Sequence, residues 1–269
     1  LATTDSLVEG VHFKFDWCTW EDLGHKSLAV NLSDIAAMGG IPRFALVSLS
    51  CPPDVDSDSV MSYYRGMTRL ARRHDTVIVG GNLTSSPVVT STVSLIGEAP
   101  RNHLMTRSCA CPGQVVAVTG ALGGAAAALE RLSRGEPPAA VPQSLLLALS
   151  RPPSRAAETR VLVEEGVRCA IDISDGLISD LGHVCRCSHV SAVIEAGRLP
   201  LCDGYEGTHE DHVRLALSGG EDYELLFACE PGLVARIAGR LECAVTVIGR
   251  ITAAEAEPTI RVESPDGTA

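Results

Sequence analysis

No stretch of this chain approaches the roughly 20 uninterrupted apolar residues of a membrane span, because Gly, Asp or Arg cuts every greasy segment short. A membrane protein is therefore not expected. Basic residues are also scarce, with 22 Lys and Arg against 33 Asp and Glu, a formal net charge of −11. Such a chain offers no positive footprint to a polyanionic backbone, and nucleic acid is not an expected partner. Phosphorylated small molecules stay open to it, provided that metal ions and a few placed Arg or Lys supply the missing positive charge.

Among the 10 cysteines there is no C-x-x-C pair; Cys109 with Cys111 and Cys185 with Cys187 come closest. That spacing is not a zinc ribbon's. Cys51, Cys169, Cys229 and Cys243 sit in apolar runs, where a free thiol acts as a small hydrophobe, so a reducing compartment, the cytoplasm, is expected. G-x-x-x-x-G-K-[ST], G-x-S-x-G and H-E-x-x-H are all missing, which excludes a P-loop, a nucleophile elbow and a zincin helix. No internal repeat is visible. The chain opens at Leu1 with neither Met nor a charged leader, so the native start is expected to lie elsewhere.

What is present is ordinary globular composition, 45% hydrophobic and 20% charged over 269 residues, enough for one large domain or two ordinary ones. Helical spacing runs through Val60, Met61, Tyr64, Met67 and Leu70, whereas Val88 to Ile96 is β-branched. Strands are also predicted at Thr76 to Val79, Gln114 to Val118, Cys169 to Ile173, Tyr223 to Cys229 and Ala244 to Ile248. The fold class is mixed α and β. The Pro112-Gly113 turn after a polar stretch divides the chain into domains 1–110 and 111–269. A short helix is expected between the proline-rich segment 135–142 and Pro152-Pro153, and a surface strand or frayed end over the last dozen residues.

The most informative segment is Asp22 to Gly40. Leu28, Leu32 and Ile35 make one buried helical face, and Ser27, Asn31 and Asp34 run beside it as short polar groups among Ala, Val and Met. A carboxylate there is either a structural hydrogen-bond acceptor or a cation ligand. In CAIDISDGLISDL (169–181) a strand pattern changes to a helical one, with Asp172 and Ser174 on one face of the strand end and Asp175 capping or opening the helix. Two carboxylates and a hydroxyl at one strand end lean toward Mg²⁺. Thr3-Thr4-Asp5 is either a set of oxygen ligands or a turn or helix start. His12, among apolar residues, reads more readily as a core histidine than as a catalyst.

Gly80 to Ser86 follows a strand and could bring amides to a phosphate; the alternative is a tight turn. Thr119 to Gly124 offers the same choice without G-x-G-x-x-G spacing. Ser218 to Glu224 opens a strand with three acids in four residues. His183, Cys185, Cys187 and His189 do not share one helical face, which leaves Cys185 with His189 and no four-ligand zinc site. His209 to His212 reads as an exposed helix start.

Six ordered segments, TTDSLVEGVHF (3–13), GHKSLAVNLSDIAAMGG (24–40), GGNLTSSP (80–87), LMTRSCACPGQVVAVTG (104–120), AIDISDGLISDLGH (170–183) and ALSGGEDYELLF (216–227), resemble the thiamine-monophosphate kinase family of the aminoimidazole-ribonucleotide-synthetase superfamily. The resemblance implies an α/β N-terminal half that dimerises through its sheet and an α+β C-terminal half. It implies transfer of the γ-phosphoryl group of ATP to thiamine monophosphate. Thr4, Asp5, Asp34, Asn82, Asp172 and Asp175 would hold Mg²⁺, and Thr4, Tyr64, Gly81, Asn82, Arg107 and Ser174 would meet the nucleotide. Arg107 and Asp175 would be catalytic, and His12 and Glu221 would face the thiamine phosphate. Donor and acceptor are polyanions, so Mg²⁺ and Arg107 would offset their repulsion; the acceptor oxygen is already ionised and needs no general base.

The sequence departs from the family where G-G-D-T-T-R-S-P has Asn82, Leu83 and Ser85 in place of Asp, Thr and Arg. Asn82 keeps an oxygen donor and loses a charge. The family's Gly-Asp-Asp segment is expected ahead of Thr3, and an aromatic that stacks on thiamine beyond Ala269. A sister ATP-dependent enzyme and a noncatalytic binding homologue remain the alternatives.

Overall fold

In the first half, alternation of side chains builds a sheet with one covered face. Strands β1 (Ala2–Val8), β2 (Ile41–Cys51), β3 (Val77–Ser85) and β4 (Thr90–Glu98) take the order β1-β4-β2-β3, with only the β2–β3 pair parallel. Leu7, Val47, Leu49, Val93 and Leu95 point inward at period 2 and pack against helices α1 (Trp20–Ala37) and α2 (Ser57–Arg73). Thr19 starts α1 through a capping box with Asp22. Gly66 lets α2 cross α1 closely, since a Cβ there would sit 1.9 Å from the Glu21 carbonyl oxygen. The opposite face of the sheet has no cover among the described residues. Phe44 pairs with Val77 and Ile96 across it, each about half exposed.

The second half carries β5 (Val115–Thr119), α3 (Gly124–Ser133), α4 (Gln143–Ser150), α5 (Ala156–Glu164), β6 (Cys169–Asp172), α6 (Leu177–Ser188), β7 (Val190–Glu195), α7 (His209–Ser218), β8 (Leu225–Cys229), α8 (Val234–Ala238), β9 (Val245–Ala253) and β10 (Ile260–Glu263). Its sheet runs β10-β7-β9-β5-β8-β6, mostly antiparallel. Leu177, Leu181 and Val184 of α6 fill one face, and Leu162 and Val163 of α5 line the other together with Ala36 and Ala37. Helix α1 is thus wedged between the two halves, buried on nearly every side, and delivers its last turns to the end of β6. The computed structural model describes residues 1–264. The last dozen residues include β10, and positions 265–269 lie outside the described residues.

Three local expectations are corrected. Thr3-Thr4-Asp5 is neither turn nor helix start but the middle of β1, paired with Leu95, Ser94 and Val93. The strand predicted to stop at Val79 continues through Gly80, Gly81 and Asn82 to Ser85, so this glycine cluster is not a loop. Gly81 is there because a Cβ would lie 1.8 Å from the Val47 carbonyl oxygen of β2. Helix α6 is not capped by Asp175: Asp180 Oδ2 accepts the amides of Ser174 and Asp175, both at 3.0 Å, from inside the first turn.

Candidate active site

Period 2 on β1 sends Thr3 and Asp5 to the α1 face of the sheet, and there they meet Asp34. Thr3 Oγ1 donates to Asp34 Oδ2, and the Asp5 carboxyl lies within hydrogen-bond reach of Asp34. Burial and then the Asp34 charge push the Asp5 carboxyl up to about 6. From the other half of the chain, Asp172 at the end of β6 accepts from Ser33 Oγ at 2.7 Å. Burial first, and the charge of Asp34 second, raise Asp172 to about 7. Asp180 continues the ridge, raised chiefly by its own burial, and its neighbour Asp175 projects into solvent. Among the described residues, no Lys or Arg pairs with Asp5, Asp34, Asp172, Asp175 or Asp180.

Carboxylates that crowd together and lack a cation partner are costly unless a cation binds them. An all-oxygen donor set of this kind suits Mg²⁺ or Ca²⁺ over Zn²⁺. Asp175, Asp180 and His183 also place one ligand atom each within 4.8 Å of one another. Asp180 reads in the sequence only as one more helical residue, and His183 is weighed there only with Cys185, Cys187 and His189, not with these acids.

Beside the carboxylates lies a cavity of about 360 Å³ lined by His12, Trp17, Leu129, Leu215 and Glu221. His12 is not an isolated core histidine. Its Nδ1 accepts the Val8 amide at 3.1 Å, so the neutral ring carries its proton on Nε2. Glu221 pairs with Lys26 at 3.0 Å, and Lys26 is almost wholly buried. Tyr223, also overlooked in the sequence, is half-buried near the acids; desolvation and then the charges of Glu221, Asp5, Asp172 and Asp34 raise its hydroxyl pKa. Glu221 and Tyr223 both hold positive φ, +69° and +51°, at a cost of order 1 kcal/mol each, a concentration of backbone strain common at functional sites.

The acids of segment 218–224 are all engaged. Asp222 accepts the Gly123 amide at the start of α3, which fills with a carboxylate the position that the Thr119–Gly124 segment could have offered to a phosphate. Glu224 takes Arg155 in a two-pronged pair at 2.6 Å. Ser27 and Asn31, read with Asp34 as one stripe, bond to their own helix at the Leu23 and Ser27 carbonyls, and the buried Asn31 Oδ1 has no hydrogen-bond partner among the described residues. Cys185 is core and His189 ends α6 in a left-handed turn.

Other expected site residues do not converge within one chain. Thr4 faces the opposite side of β1 from Asp5 and bonds Ser94 Oγ. Asn82 pairs with Ser48 on that same open face, three strand spacings, about 14 Å, from β1. Gly81 is in the same edge strand. Tyr64 packs edge-on to Tyr63 on α2. Arg107 is exposed, and its carbonyl accepts from Ser188 at the far end of α6, about 18 Å from Asp175. The two residues expected to be catalytic are therefore not neighbours, because a whole helix separates them.

With this geometry in hand, comparison with known proteins is decisive. The first half, residues 1–99, matches the family described as AIR synthase related protein, N-terminal domain, and residues 111–260 match its C-terminal domain. Over 243 residues the chain is 37% identical to the thiamine-monophosphate kinase of Bacillus subtilis (strain 168), covering 84% of this chain and 70% of that protein. The chain belongs to the thiamine-monophosphate kinase family. The family member from Stenotrophomonas maltophilia K279a superposes with a TM-score of 0.90 at 34% identity, covering 100% of this chain and 85% of that one. AaThiL complexed with AMPPCP and TMP, a further relative, gives 0.85 at 32% identity over 99% of this chain and 83% of its own. Both halves of the fold, and their arrangement around α1, are accordingly those of the family.

Proposed function

We infer that this chain carries out the family's reaction, the ATP-dependent phosphorylation of thiamine monophosphate to thiamine diphosphate. One observation carries the reading: Asp5, Asp34 and Asp172, from three separate elements, converge with no Lys or Arg paired to them among the described residues, beside a cavity that holds His12 and Glu221. Both substrates are anionic phosphates, and a ridge of bare carboxylates would repel them. The donor set fits Mg²⁺, and we assign Asp5, Asp34, Asp172 and Asp175 to hold it. Bound there, Mg²⁺ supplies the positive charge that lets donor and acceptor phosphates approach.

The chain's own residues then position the acceptor. His12 presents its Nε2 proton to the cavity as a donor to a phosphate oxygen, because Nδ1 is already occupied by Val8. Glu221 faces it across the same cavity. The apolar walls, Trp17, Leu129 and Leu215, bury the uncharged surface of the acceptor and exclude water from the transfer. Ser174, next to the Asp172 strand end, is assigned to the phosphates of the nucleotide, and Arg107, a helix length away, to its nucleoside end. No general base is invoked, because an ionised phosphate oxygen is already the nucleophile.

The uncovered sheet face is assigned to a second copy of the chain. Phe44, Leu46, Val77 and Ile96 form an exposed apolar band, flanked by the polar row Asn82, Ser48, Thr92 and Ser6. The function is tested by ATP turnover with and without thiamine monophosphate in the presence of Mg²⁺. Formation of ADP and thiamine diphosphate together is expected; ATP hydrolysis unaffected by thiamine monophosphate defeats the reading.

A further inference from the structure

Lys26 lies one stripe along α1 from Asp34, eight residues and about 12 Å away, on the helix face that turns toward the site. It is 3% exposed, and its ammonium group donates to Glu221 Oε2 at 3.0 Å and toward the His12 carbonyl oxygen at 3.4 Å. These two acceptors belong to the two segments that face each other across the cavity. One is the turn after β1 that carries His12; the other is the segment 218–224 that carries Glu221. Both Glu221 and Tyr223 have left-handed backbones, which persist only where the surroundings over-determine them. The Glu221 and Tyr223 amides already bond the Ser174 and Ile173 carbonyls at 2.9 Å. What remains is the direction of the Glu221 side chain, and Lys26 is its only charged partner among the described residues.

We propose that Lys26 is a positioning residue that ties the His12 turn and the Glu221 segment into one preformed acceptor site. The inference rests on the kinase reading above. A buried ammonium group with one carboxylate partner is poorly explained as a stability device, because a well-packed apolar side chain often serves as well or better there. Its value lies in fixing the His12 turn and the Glu221 side chain relative to each other before the substrate arrives, so that the ordering cost is met in folding and not in binding.

The test uses the full chain with Lys26→Met, which keeps length and packing, and Lys26→Arg, which keeps charge. Lys26→Met is expected to raise KM for thiamine monophosphate at least tenfold while KM for ATP stays within twofold, and Lys26→Arg is expected to recover most of the loss. Glu221→Gln should resemble Lys26→Met, and the double variant should be no worse than either single one. Equal rises in both KM values, no rise, or additive losses in the double variant would overturn the proposal. If Lys26→Met does not fold, Lys26→Gln takes its place with the same expected split. Amide hydrogen exchange over 218–224 reads the positioning without any substrate: Lys26→Met should speed exchange at Glu221 and Tyr223 about tenfold, and unchanged protection refutes the tether. Absence of thiamine-monophosphate-stimulated turnover in the unaltered chain would defeat the kinase reading and leave the exchange result to decide the role of Lys26.

Discussion

Ser33 donates a 2.7 Å hydrogen bond to Asp172, joining α1 in the first half of the chain to the end of β6 in the second, 139 residues later. The residue after Ser33 is Asp34, whose charge helps to raise Asp172. One helical turn thus supplies both a carboxylate and the hydroxyl that orients its neighbour, and this arrangement sets the first prediction. Ser33→Ala should raise the Mg²⁺ concentration needed for half-maximal activity about tenfold or more, as loss of a ligand-orienting hydrogen bond does elsewhere. A titration of activity against Mg²⁺ at saturating substrates checks it.

The raised carboxyls of Asp172 and Asp222, each about 7, make the metal-free protein sensitive to pH. A carboxyl whose pKa is higher in the folded than in the unfolded chain binds more protons when folded, so stability rises as pH falls from above its folded value toward its unfolded one. His25, His74 and His212 are pushed down by burial and act in the opposite sense as pH falls through about 6.5, so they partly offset the acids. Asp172→Asn removes one of the acids and leaves the histidines in place, so comparison of the two chains separates the contributions. Thermal unfolding in chelator should therefore rise less, or fall more, between pH 8 and 6.5 in Asp172→Asn than in the unaltered chain. Asp172→Asn should flatten part of the slope and stabilise the metal-free chain at pH 8 by about 1 kcal/mol.

Gly80 and Gly81 are adjacent and predicted to respond oppositely to one added methyl group. At Gly81 the new Cβ would collide with the Val47 carbonyl oxygen at 1.8 Å, whereas at Gly80 it would touch Leu46 Cδ2 at 3.6 Å, an ordinary contact. Gly81→Ala should detach the edge strand and cost more than about 2 kcal/mol, and Gly80→Ala should stay within about 0.5 kcal/mol. Urea unfolding of the two variants decides.

Activity should separate the carboxylates of the ridge from the open face of the sheet. Asp34→Asn is expected to lower kcat/KM at least 100-fold and Asp175→Asn at least tenfold, with Asn82→Ala within a few fold, because Asn82 is remote from the ridge in one chain. Comparable small losses in all three would remove the metal assignment.

Phe44→Asp, in the middle of the exposed apolar band, should convert a dimer into monomers in sedimentation velocity. A sedimentation coefficient unaffected by the change would reject this face as the self-association surface.

Much of this was legible from local pattern. The apolar period of α1, the strand-to-helix switch at Ser174-Asp175-Gly176 and the short polar residues among apolar ones marked Asp34 and Asp172, because a buried carboxylate breaks a hydrophobic pattern in a way a sequence displays. The same patterns could not show which side of β1 a residue takes. Thr3 and Thr4 are chemically alike, and only pairing with β4 put Thr3 beside Asp34 and Thr4 on the open face. Nor could they show why Gly81 is a glycine, since the colliding carbonyl lies on another strand.

By itself, then, the order of residues determined the family and the mixed α and β character and marked Asp5, Asp34 and Asp172 as candidate site acids, because these depend on composition and spacing along the chain. Tertiary structure alone decided that Asp5, Asp34 and Asp172 meet, that Arg107 does not join Asp175, and that Lys26 stands between His12 and Glu221. Distances between elements far apart in sequence arise from how α1 packs between two sheets, and no local periodicity encodes that packing.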